Sequence, residues 1–152
     1  MLQSAIVSRL PLLSGTADLV FLVLLAWSLQ SRVKYSWLWA LIGGLLVSLT
    51  SAIPFYAPLF GYMIVVVIAR LIQRRLWQIP ILAMFATTVM GTLVIHTLEI
   101  AALFVSGRAI PFQDGFTYVT LPSALLNLLL ALPVYTIMTD LARWVYPEEV
   151  EV

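Results

Sequence analysis

Long apolar stretches, broken only by short polar turns, run from Ala17 to Val145, and no other feature constrains the chain as strongly. Inside a bilayer, backbone polar groups must be satisfied within the protein, so such stretches fold as helices packed side by side. Composition agrees: of 152 residues, 62% are hydrophobic and 10% are charged, with a mean hydropathy of +1.06. Soluble domains run about 45–50% apolar and about 25% charged. The expectation is an all-α, polytopic membrane helical bundle, one integral-membrane domain over residues 1–152. At ~20 residues per crossing, roughly five or six spans fit and a separate soluble domain does not. A net charge of +1 gives no reason to expect a nucleic-acid partner. The chain has no cysteine, which excludes disulfides and thiolate chemistry, and one histidine is too few for a histidine metal cage. No metal and no cofactor are expected.

Five spans can be placed. The first runs from Ala17 to Ser31, behind the turn signal Ser14-Gly15-Thr16, with Asp18 at the N-cap position. The second runs from Ser36 to Ile53 and opens on Trp37 and Trp39. Pro54 and Pro58 bracket a tight turn into the third, Leu59 to Ile72, which is followed by Gln73-Arg74-Arg75. The fourth begins at Pro80, a favourable first-turn proline, and reaches Ser106 with a bend expected near Gly91. A polar loop is expected from Gly107 to Thr120, then a fifth span from Leu121 to Val145 with a kink at Pro133. Residues 146–152 read as a short acidic tail.

Charge sets the expected sidedness. Arg32, Lys34, Arg74, Arg75 and Arg143 gather on one side, with Arg70 a turn inside and able to snorkel, while Arg9 and Arg108 lie on the other. The positive-inside rule makes the first side, and the C-terminus, cytoplasmic. The N-terminus is then outside, unless a further hydrophobic helix precedes Met1 and brings the total to six.

Polar residues within apolar spans are costly and need a reason. His96 and Glu99 share a helical face at i, i+3 spacing, read as an interhelical hydrogen bond or partner-facing patch ahead of a proton or ion site. Asn127 is expected to bond to a neighbouring helix, and Asp140 to pair locally with Arg143. Ala40, Gly44, Ser48 and Ala52 recur at four-residue spacing, a small-residue ridge that admits a helix at close range, widened by Gly43. Ser48, Ser51 and Ser123 have no histidine near them in sequence, and there is no phosphate-binding loop, so no catalytic residue is proposed.

One order of features is familiar. Gly15-Thr16-Ala17-Asp18-Leu19 leads into a span ending Ala26-Trp27-Ser28-Leu29; then come Trp39 to Val47 with its paired glycines, the turn Ser51-Ala52-Ile53-Pro54-Phe55, and Gly61-Tyr62. Over most of its length, from about Leu2 to Tyr146, the chain resembles the MreD family of bacterial rod shape-determining membrane proteins. The resemblance implies a non-enzymatic scaffold in the bacterial cytoplasmic membrane. Such a scaffold binds MreC and links the actin-like MreB filament to the peptidoglycan polymerase and transpeptidase of the elongation machinery. Where the family often carries an acid after the paired glycines, this chain has Ser48, so that acid's role is not implied. Contact with MreC is expected through the spans and the Pro54–Pro58 turn. The alternative is the substrate-binding subunit of an energy-coupling-factor vitamin transporter, which is similar in size and needs Asn127, His96 and Glu99 to converge on a cavity.

Overall fold

A computed structural model describes residues 17–108 and 111–147. The described residues form an all-helical bundle without a strand. Helix α1 spans Leu19–Ser28, α2 Ser36–Thr50, α3 Tyr56–Arg75 and α4 Pro80–Val105. The last helix, α5, spans Phe112–Val145 without a break and contains Pro133. Arg9, the Ser14–Thr16 turn signal and the acidic residues Glu148, Glu149 and Glu151 lie outside the described residues.

Helices α3, α4 and α5 are long and apolar enough to cross a membrane; α1 and α2 are not, at 10 and 15 residues. Five helices fit the expected bundle, and the first two are shorter than a full span. At 1.5 Å per residue, α1 covers only about 15 Å of a hydrocarbon core about 30 Å thick. Its position explains how so short a helix is stable. Phe21, Leu22, Leu25 and Ala26 are all buried, and α1 packs against α2, α3, α4 and α5. A helix apolar all round is a core helix, and α1 is the pillar around which the other four stand.

The outer helices pack in chain order, α2 on α3, α3 on α4 and α4 on α5. Leu49, Phe104, Leu129 and Trp144 are among many large apolar side chains left exposed on their outward faces. A surface of this kind belongs against lipid. Between α5 and α2, α1 reaches the surface at Val23, and an apolar cleft of ≈370 Å³ opens there, lined by Trp27, Trp39, Met138 and Tyr146 among others.

Local sequence explains where the helices begin and end. Asp18 caps α1 by accepting from the Phe21 N–H at 2.9 Å. Pro80 starts α4 as expected, and Gly107, at φ 76°, ends it with the Arg108 N–H reaching the Leu103 carbonyl. The expected loop from Gly107 to Thr120 is helical from Phe112 onward. Phe116–Thr120 form a turn of π-helix just before Pro122. A proline ring collides with the carbonyl four residues back in a regular helix, and the wider turn gives it room, so the helix runs through a position read from sequence as its start. Gly91 lies within unbroken α4, where an added Cβ would stand 2.7 Å from the Phe21 ring. The glycine there admits the central helix.

Tyr146 belongs to the bundle and not to a tail: its ring lies 6.2 Å from that of Trp27, and its carbonyl accepts from Arg32 at 2.8 Å. Arg70, a turn inside the end of α3, reaches toward the α1–α2 turn. Its guanidinium donates to the Val33 carbonyl and the Ser36 hydroxyl, pinning the α1–α2 turn to α3.

Candidate functional site

At the end of the bundle away from Arg74 and Arg75, four helices are joined by one hydrogen-bonded chain. It starts at Asp18. One carboxyl oxygen caps α1, and the other accepts from the Tyr62 hydroxyl of α3 at 2.6 Å. The Asp18 backbone N–H donates to Asn127 Oδ1 of α5 at 2.9 Å. Asn127 Nδ2 donates to Thr92 Oγ1 of α4 at 3.1 Å, and Thr92 donates to the Thr88 carbonyl at 2.8 Å. Tyr62, Asn127 and Thr92 are each no more than 2% exposed. In apolar surroundings an unpaired polar group is expensive, and here each group finds a partner on another helix or in its own helix. The result is a lock holding α1, α3, α4 and α5 in register.

His96 and Glu99 continue this polar side of α4. His96 Nδ1 lies 3.2 Å from Thr120 Oγ1, in the π-helical turn of α5. The Thr120 hydroxyl also lies 3.3 Å from the Gly115 carbonyl. Which of His96 and Thr120 donates across this contact depends on the imidazole tautomer. Glu99 is half-buried, lies near enough to Asp18 to interact electrostatically with it, and makes no hydrogen bond among the described residues. His96 and Glu99 share a face but do not bond to each other; their neighbours are on α5 and at the start of α1. No group of three or more potential metal ligands occurs among the described residues.

The small-residue ridge is occupied from within the chain. An added Cβ on Gly44 would stand 3.1 Å from the Leu59 Cα of α3, and one on Gly43 would stand 2.5 Å from a Leu24 methyl of α1. Ala40 and Ser48 are buried on the same side. Ala52 does not belong to the ridge: α2 ends at Thr50, Ser51 is extended, and Ala52 is exposed. The turn ahead of Pro54 ends the helix two residues short of the next position of the four-residue repeat. Ser48 has a second role. Its hydroxyl lies 2.6 Å from the Gly44 carbonyl and 2.8 Å from that of Phe55, so α2 holds the following turn. Pro58 is buried and Pro54 half-buried, while Phe55 and Tyr56 stand out from the turn with their rings edge to face at 6.1 Å.

Asp140 and Arg143 form an exposed i, i+3 pair at 3.9 Å. The sequence points to Asn127 and His96 but not to their partners Thr92 and Thr120, and it shows Tyr62 only beside Gly61. The N-cap signal at Asp18 was visible; that its second oxygen faces Tyr62 was not. Comparison of the chain with family models, curated proteins and solved structures gives no match in any of the three.

Proposed function

We propose that the chain is a non-enzymatic scaffold of bacterial cell elongation in the cytoplasmic membrane. It would bind MreC and, through it, link the MreB filament to peptidoglycan polymerase and transpeptidase. The sequence resemblance supplies the partner. The observation that carries the reading is the exposed aromatic pair Phe55 and Tyr56, on a turn whose Phe55 carbonyl is bonded by Ser48 and whose Pro58 is buried. Fixed aromatic side chains are efficient anchors for a protein partner, because little entropy is lost on contact. By charge bias the turn lies on the outer side, where MreC has its main mass, and the C-terminus lies in the cytoplasm. The polar lock holds α3, the helix that follows the turn, against α1, α4 and α5.

The test is capture from native bacterial membranes with the full chain as bait. Co-purification of MreC, weakened about tenfold or more by Phe55→Ala, is the expected result. Recovery of transporter ATPase subunits in place of MreC would instead support the vitamin-transporter reading.

A further inference from the structure

At the arginine-rich end a cleft of ≈450 Å³ lies between the start of α2 and the last turns of α3. Lys34, Arg70 and Arg74 line it together with Ser36, Trp37 and Leu71, and no carboxylate does. Arg70 builds this arrangement. By donating to Val33 and Ser36 it draws the α1–α2 turn onto α3, which sets Lys34 on the same cleft as Arg74. Helix α2 begins here without a side-chain cap, so its first backbone N–H groups add partial positive charge. Beside the cations the walls are apolar: Trp37 and Leu71 are exposed at their level, and Val67 is exposed one turn deeper on α3. A tryptophan beside cations at a helix end marks the level of the lipid headgroups.

We infer that this cleft binds the headgroup of an anionic phospholipid, its phosphate among Lys34, Arg70 and Arg74 and its acyl chains along Trp37, Val67 and Leu71. The cationic rim alone would suit any phosphate. The apolar track leading from it into the bilayer is what favours an amphiphile over free phosphate. Basic pockets between helices at the cytoplasmic face are suited to such headgroups. Lys34 and Arg74 are exposed, so they can be changed without opening the core, whereas Arg70 cannot, because it holds the α1–α2 turn.

Native mass spectrometry of the delipidated full chain, offered phosphatidylglycerol and phosphatidylcholine together, tests this. Phosphatidylglycerol should be retained preferentially. The double variant Lys34→Gln/Arg74→Gln should lose about 20- to 30-fold of that retention, since each cation at a membrane surface contributes about fivefold. Arg75→Gln/Arg143→Gln removes the same charge outside the cleft and should change retention less than about twofold. A photoreactive phosphatidylglycerol should label the peptides bearing Trp37 and Leu71 in the wild type. Equal retention of the two lipids, equal loss in both double variants, or labelling elsewhere would overturn the assignment. So would inorganic phosphate alone stabilising the protein against heat as well as phosphatidylglycerol does.

Discussion

Tyr62 and Asp18 are 44 residues apart in sequence and 2.6 Å apart in space. Tyr62→Phe keeps the ring packing and removes that one bond. It should cost about 1–3 kcal/mol, the range for losing one hydrogen bond to a carboxyl group. Tyr118→Phe, at an exposed position, should cost nothing measurable, and reversible unfolding in mixed micelles compares the two. Asn127→Ala breaks two links at once and should destabilise at least as much as Tyr62→Phe. His96 makes a simpler contact, one ring nitrogen to Thr120, which an amide can replace. His96→Gln should therefore support normal cell shape at normal protein level. Loss of shape in that variant, with assembly intact, would point to a proton-carrying role that an amide cannot fill. The polar residues themselves were legible, because each interrupts an apolar run. Their pairing was not: Asn127 reaches a backbone N–H 109 residues away, and helical periodicity says nothing about which helix stands opposite.

At the scale of elements, the clearest sequence signals were punctuation. Pro54, Pro80 and the glycine after α4 fix helix ends through backbone geometry alone, and the structure ends or starts helices at or close to them. Composition misled at residues 112–120, part of a polar stretch from Gly107 to Thr120 that holds Arg108, Pro111 and Asp114 and reads as a loop. Tertiary contact outweighs propensity there, since Gly115 lets α5 approach Ile100 of α4 closely, 3.0 Å from where a Cβ would stand. The ridge on α2 was legible as a spacing, but its extent depended on where the helix stops. Gly44 abuts the Leu59 backbone, which cannot swing aside, so Gly44→Leu should prevent α2 from docking on α3 and abolish stable accumulation of the protein. Leu45 is exposed, and Leu45→Ile should leave the level unchanged. Equal, mild effects of both would mean the close approach contributes little.

For the whole molecule, sequence conveyed an all-helical apolar bundle but not its arrangement. A short, wholly apolar helix reads the same whether it meets lipid or four other helices, so the central place of α1 could not be read from its residues. Overall charge bias leads to a sidedness that a reporter can check: fused after Val152, it should be active only in the cytoplasm, and strong activity outside would reverse the orientation. The residues beyond Pro147 are expected to be dispensable, and deleting them should leave complex formation intact. Binding of purified MreC to the purified chain in lipid nanodiscs measures the scaffold role most directly. Saturable binding is predicted with no nucleotide or vitamin present, weakened about tenfold or more by Phe55→Ala while the bundle stays folded. Absence of saturable binding to MreC, or tight binding of a vitamin by the chain alone, would contradict it.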